Sequence, residues 1–251
     1  MRYYEGGIIG APANWDGANR RGSWTIPEIY NRQRRNFWTR SIDPFVNSVV
    51  CDLRFDGANN GIVFSDSGPL LLSVSRLGTT GVTTSTTRSK YGTASALFPD
   101  SNGYLSVNHP NLALGTGNFT IEMWLFASTS RGNNGILSVG TSSSIFTAIL
   151  SAAGNSLQTA FQGSLATIPL GSWFHVAYVR QGIGSSQTRL YLNGVLINQA
   201  TNSTNYTETF YNIGVYGSVS SCWGGNIDNF RVTKAARYLT NFNPETDTYM
   251  S

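Results

Sequence analysis

Charge is scarce in this chain. Only 12% of its 251 residues are Asp, Glu, Lys or Arg, about half of the roughly 25% usual in soluble domains. The deficit is filled by Gly, Ser, Thr and Asn, which suit turns and strands with one wet face. Such a surface meets neutral polar partners more naturally than highly charged ones. Lysine is almost missing, with Lys90 and Lys234 alone. The net charge of +4 is concentrated, because six arginines lie between Arg20 and Arg40 against a single acid, Glu28. The remainder is close to neutral, which weighs against nucleic acid as a partner of the main domain. Cys51 and Cys222 are the only cysteines, too few for a disulfide framework and without the spacing of a zinc site. They either bridge strands at the two ends of a domain or stay free and packed. The opening MRYYEGGIIGAPANW holds no apolar run of signal-peptide length, and no stretch approaches a membrane span. The expectation is a cytoplasmically assembled protein with no membrane partner.

What is present falls into two textures. Residues 1–46 read as an arm. Gly6, Gly7, Gly10, Pro12, Gly17 and Gly22 make its beginning extended and irregular. Thr25 and Glu28 then stand at capping-box spacing, and Pro27 fits a first helical turn. Ile26, Ile29, Tyr30, Gln33 and Phe37 follow with helical period, predicting a short amphipathic helix over 26–37 with Arg32, Arg34 and Arg35 on its other face. A helix this short is marginal alone in water and needs a partner surface. Trp24, Ile26, Ile29, Tyr30, Phe37 and Trp38, with Arg34 and Arg35, are the expected anchors onto other subunits of a larger assembly, since aromatics and Arg concentrate at interface cores. Two further readings stay open: the arm folds back on its own domain, or its arginines meet nucleic acid. The apolar content weighs against the latter.

From residue 47 onward strands and turns take over. VVCDLRF alternates, the loop Asp56–Gly61 follows, and IVF reads as a short strand. A Thr/Ser-rich connection leads to ASALF and GYLSV. NFTIEMWLFA is the strongest strand, with Phe119, Ile121, Met123 and Leu125 on one face and Glu122, Trp124 and Phe126 on the other. GILSVG, SIFTAIL, SLQTAFQG and WFHVAYVRQ come next, and Asn193-Gly194 between TRLYL and VLINQ is the best hairpin signal. About a dozen short strands without an intervening helical window mean an all-β antiparallel sandwich.

The order VVCDLRFDGANNGIVFSDSG, KYGTASALFPDSNGYLSV, GNFTIEMWLF, WFHVAYVRQ, LYLNGVLI and GNIDNFRVTKAARY resembles the laminin-G-like jelly-roll domain of the concanavalin A-like superfamily. It is most similar to the version found in bacteriophage structural proteins. The arm also resembles N-terminal segments of phage virion proteins, over a shorter stretch. The resemblance implies two stacked antiparallel sheets with first and last strands adjacent. It also implies a place in the virion, as repeated copies held by other virion proteins. Head decoration or fibre is favoured, with a tail adhesin or a free carbohydrate-binding module as alternatives.

Function is then a matter of sites. Some members of this superfamily hydrolyse glycans with carboxylates at alternate positions of one strand, and cleavage needs two carboxyl groups roughly 5–10 Å apart. TIEMWLF offers Glu122 alone, flanked on its face by Thr120 and Trp124, so no enzyme is expected. His175 is expected as a packed core histidine. Ca²⁺ is the one cofactor the resemblance suggests, with Asp66 and Asp228 the leading ligands among Asp56, Asp66, Asp100, Asn102 and Asp228. Each of these also suits a turn. For glycan binding, Tyr206, Tyr216 and Trp223 are the candidate stacking residues, with Asn202 and Asn205 nearby.

Overall fold

Alternation along each strand builds two layers. The structure, a computed structural model, describes residues 43–99, 102–128, 133–140, 143–151, 154–159, 162–216 and 218–247. The helix expected over 26–37 lies outside these residues, as do Trp24, Ile26, Ile29, Tyr30, Arg34, Arg35, Phe37 and Trp38. In chain order the strands are β1 (Val49–Leu53), β2 (Val74–Leu77), β3 (Thr83–Ser85), β4 (Ser95–Pro99), β5 (Tyr104–Asn108), β6 (Phe119–Ala127), β7 (Asn133–Val139), β8 (Ser143–Ser151) and β9 (Gly154–Thr159). They continue with β10 (Gln162–Thr167), β11 (Trp173–Arg180), β12 (Thr188–Leu192), β13 (Val195–Ala200), β14 (Phe210–Ile213), β15 (Val215–Tyr216), β16 (Ser218–Cys222) and β17 (Gly224–Thr233).

The first sheet runs β13-β12-β11-β6-β17-β4-β3, with β1 also on β17; the second runs β10-β9-β8-β7-β14-β5-β2, and β15-β16 form a small ribbon. The pairings between these strands are antiparallel. Ten-residue β17 is long enough to hold two partners along the edge opposite β6. Gly224–Ile227 pair with β4, and Phe230–Thr233 with β1. First and last strands therefore lie side by side, as the resemblance implied.

Phe119, Ile121, Met123 and Leu125 of β6 and Phe174 and Val176 of β11 enter one core with Leu105 and Val107 of β5, Leu137 and Val139 of β7, and Tyr211 and Ile213 of β14. Burying one such side chain contributes roughly 1.5–3 kcal/mol, so a core shared by both sheets accounts for the stacking. The face of the first sheet turned away from this core is called the outer face below. At the β12–β13 turn Asn193 and Gly194 have φ of 50° and 75°, the left-handed pair that a two-residue hairpin demands. Gly194 is needed twice over, because a Cβ there would lie 2.0 Å from the Phe242 carbonyl oxygen.

Two expectations are corrected. Ile62–Phe64 is not a strand: Ile62 and Val63 are exposed, and the backbone beside them bonds Thr84, with Asn60 N and Gly61 O as the partners. Phe64 alone turns inward, edge-on to Phe55 at 6.1 Å. The Thr/Ser-rich connection, in turn, supplies β2 and β3 at the sheet edges. Thr accepts a strand wherever a neighbouring strand offers a ladder. Cys51 and Cys222 are both buried and are not joined in a disulfide.

Candidate functional site: the outer face of the first sheet

Register decides what the outer face carries. Trp173, His175 and Ala177 of β11 stand opposite Phe126, Trp124 and Glu122 of β6. On the other side of β6, Asn226, Asp228 and Arg231 of β17 stand opposite the same three. Cross-strand partners share a face, so these nine side chains form one patch. Its two ends are finished differently.

At the Glu122 end the C-terminal segment closes over the sheet. Tyr238 and Phe242 stack at 3.6 Å and 8°, and Phe242 also meets Tyr191 at 5.3 Å and His175 at 5.8 Å. Phe242 N–H donates to the Gly194 carbonyl at 3.0 Å. Beneath this cover Glu122 is completely buried, and Oε1 accepts from Arg231 Nε at 2.9 Å and Nη2 at 2.7 Å. Tyr238 Oη donates to Oε2 at 2.9 Å, and Arg237 Nε lies 3.3 Å from Oε1. Burial alone would raise the Glu122 carboxyl. Arg231, His175 and Arg237 together outweigh it and hold the group well below the usual carboxylate range. His175 Nε2 lies 3.6 Å from Oε2, longer than a good hydrogen bond. Burial in turn depresses the His175 imidazole. A buried carboxylate held by two arginines is poorly placed to hand a proton to a glycosidic oxygen.

At the other end the cover is a loop, Arg88–Thr93, held from below. Asp228 Oδ2 accepts from Lys90 N at 2.7 Å and Tyr91 N at 3.2 Å. Asp56 Oδ1 accepts from Thr93 N at 2.5 Å and Thr93 Oγ1 at 3.1 Å. Ser95 Oγ donates to the Arg88 carbonyl at 2.5 Å. A bulge in β17 between Asp228 and Arg231, with Asn229 at φ 48°, accompanies this local departure from the ladder. Burial pushes the Asp228 carboxyl up to about 7, against the backbone N–H groups of Lys90, Tyr91 and Asn229, which pull it down. Lys90 Nζ sits 4.0 Å from the Trp124 ring centroid and pairs with Glu245 at 2.5 Å, while Tyr91 Oη donates to Glu245 Oε2 at 2.9 Å.

Beyond that loop the face opens. Phe126 and Trp173, both half-buried, meet edge to face at 5.6 Å and 67°. The Arg88 guanidinium lies 4.6 Å from the Phe126 centroid and Arg88 is exposed. Asn226 donates through Nδ2 to Ser95 Oγ at 2.9 Å, while its buried Oδ1 and the buried Trp124 Nε1 have no hydrogen-bond partner among the described residues. Two aromatic rings, a cation and buried amide groups at one end of a sheet face can hold a small polar ligand by stacking and hydrogen bonding.

The family model described as the concanavalin A-like lectin/glucanases superfamily matches residues 99–240. The chain belongs to this superfamily. Among solved structures, domain 4 of AbnA, a GH43 extracellular arabinanase from Geobacillus stearothermophilus in complex with arabinotriose, is similar with TM-score 0.60 and 16% identity, covering 81% of this chain and 98% of that one. The binding domain of Paraclostridial Mosquitocidal Protein 1 is similar with TM-score 0.58 and 13% identity, covering 76% and 50%. A botulinum neurotoxin type C structure, described by cell entry dependent on two ganglioside molecules, gives TM-score 0.55 and 13% identity, covering 78% and 50%. The chain thus spans about half the length of the toxin chains it matches. At these identities the likeness is one of fold. No curated protein matches the chain by sequence.

Within this lectin-like sandwich the expected site residues part company. Tyr206 is buried against Phe119, with Arg180 over its ring at 5.2 Å and Asn202 Nδ2 donating to its hydroxyl at 3.0 Å. Trp223 is fully buried, its Nε1 donating to the Asn226 carbonyl at 3.4 Å. Neither presents a ring to a sugar, which corrects the expectation for both: their aromatic mass serves the core. Tyr216, 41% exposed on the β15–β16 ribbon, does face solvent. Asp66 is a turn organiser, with Oδ1 accepting from Asp52 N at 2.7 Å and Gly68 N at 2.9 Å, and Oδ2 from Leu72 N at 2.9 Å. Asp228 Oδ2 likewise accepts two amide N–H groups, while its buried Oδ1 has no hydrogen-bond partner among the described residues. Among the described residues no three His, Cys, Asp or Glu side chains gather in a metal-sized group. The sequence reading missed Trp173, Phe126 and Arg88 as a set. Alternation in β6 does put Phe126 outward, but Trp173 joins it only through the β6–β11 register.

Proposed function

We propose that this chain is a non-catalytic, glycan-binding jelly roll displayed on a bacteriophage particle. The observation that carries the binding half is the Phe126–Trp173 pair beside Arg88, half-exposed on an outer face whose other end is sealed. Ring faces take the CH faces of a sugar, while polar neighbours take its hydroxyl groups. The likeness in fold to an arabinanase domain solved with arabinotriose supports this reading. So does the likeness to toxin binding domains. A non-catalytic role is supported by Glu122, which has two arginines and a tyrosine hydroxyl as its neighbours where hydrolysis would need a second carboxyl group.

The particle half rests on sequence. The phage-like motif order and the arm anchors Trp24, Ile26, Ile29, Tyr30, Arg34, Arg35, Phe37 and Trp38 support a role in the virion as repeated copies among other virion proteins, decorating the head or a fibre. A glycan array probed with the full chain and with Trp173→Ala tests the first half. Binding lost in the variant is expected, and an array with no binder overturns it. Light scattering of the full chain beside a Trp24→Ala/Phe37→Ala variant tests the second. Assembly that depends on these rings is expected, and two equally monomeric samples exclude self-assembly through the arm.

A further inference from the structure

The outer face assigns its own ligand class: we infer that the sugar it selects carries a carboxylate, a uronic or sialic acid unit, received by Arg88. The inference rests on the glycan-binding reading above. Cations near this face are mostly committed. Lys90 pairs with Glu245, while Arg231 and Arg237 pair with Glu122. Arg54, elsewhere, pairs with Asp52. Arg88 has no ion pair among the described residues; its guanidinium rests on the Phe126 ring at 4.6 Å instead. A guanidinium lying over a ring keeps the N–H donors directed away from that ring open to a carboxylate. Of the described acids at hand, Glu122 and Asp228 are fully buried, Glu245 is engaged by Lys90 and Tyr91, and the exposed Asp56 accepts from Thr93.

Arg88 is also positioned. Its carbonyl is held by Ser95, and the loop after it is held by Asp228 at Lys90 and Tyr91 and by Asp56 at Thr93. Gly92, at φ +61°, passes so close to Asp56 that a Cβ would lie 2.1 Å from Oδ1. A receptor group on a pinned loop gives up less freedom on binding than one on a free loop. The ring pair beside it supplies the stacking surface, so carboxylate and sugar ring would be read side by side.

Calorimetry on the full chain with two matched pairs tests this: oligogalacturonate against its carboxyl-reduced neutral counterpart, and sialyllactose against lactose. In at least one pair the acidic member is expected to bind tenfold or more tighter at low salt, with the advantage shrinking as salt rises. Arg88→Ala should bring that acidic member down to the level of its neutral counterpart, abolishing the difference within the pair, and Arg88→Lys should keep part of the preference. Equal affinity within both pairs overturns the carboxylate inference and leaves the glycan reading standing. An acidic preference that survives Arg88→Ala overturns the assignment to Arg88. Failure of every sugar on a broad array overturns the reading beneath it.

Discussion

The two ends of one sheet face make opposite use of the same ingredients. Both carry aromatics and cations on β6, β11 and their neighbours. At the Glu122 end the cations are buried, paired and roofed by Tyr238 and Phe242. At the Phe126 end an arginine and two rings are left at the surface. The difference lies in the chain that follows β17, which lays its aromatics over one end only. Charge that is desolvated must be fully paired, or it costs several kcal/mol; charge left in water is available for a partner.

The comparison breaks hardest at Glu122. Glu122→Ala leaves Arg231 and Arg237 buried without their acid, and a loss of about 3–5 kcal/mol in denaturant unfolding is expected. Trp173→Ala at the other end should cost less than about 1.5 kcal/mol, because part of that ring already lies in water, yet it should remove glycan binding. If the two substitutions prove equally destabilising, the open end is core rather than site.

The next effect is one of pH. Asp228 titrates at about 7 in the folded chain against an ordinary 3.8. Between those values the folded chain holds a proton that the unfolded chain has released, so stability falls as pH rises through the window and levels off above it. His175, depressed by burial, acts in the opposite sense below its ordinary 6.5, where only the unfolded chain takes up a proton. A direct stability profile therefore mixes the two, and the difference between Asp228→Asn and the parent isolates one. The variant's amide oxygen still accepts from Lys90 and Tyr91, without the charge. Its stability relative to the parent should rise by roughly 4 kcal/mol from pH 4 to pH 8. A flat difference would mean that Asp228 titrates normally.

Much of this fold was legible before any coordinates. The Asn193-Gly194 turn, the two faces of NFTIEMWLFA and the adjacency of first and last strands follow from period-two patterning, turn chemistry and motif order. IVF failed because a short apolar run does not say whether a ladder awaits it, and Ile62 and Val63 found none. Tyr206 and Trp223 failed as stacking residues for a related reason. An aromatic among loop residues looks exposed in a string, but burial is a property of what folds over it, here Phe119 and Arg180 for Tyr206. Asp66, read first as a Ca²⁺ ligand and only second as a turn residue, shapes its turn through three amide donors. The Phe126–Trp173–Arg88 set was invisible because it joins a strand, a distant strand and a loop through register alone.

The smallest effect sharpens the boundary between the two ends. Glu245 reaches from the C-terminal segment to Lys90 and Tyr91, so it ties the roof of the sealed end to the loop that positions Arg88. Lys90 is only 18% exposed in its side chain but Glu245 is 52% exposed, and a pair with one partner in water contributes about 0–1 kcal/mol. Glu245→Gln should therefore barely move global stability. Its readout is the loop: faster amide hydrogen exchange at Lys90 and Tyr91, and weaker binding of the acidic sugar with neutral binding intact. Unchanged exchange at both amides would mean that Asp228 holds them without help from Glu245, and that the two ends of the face work independently.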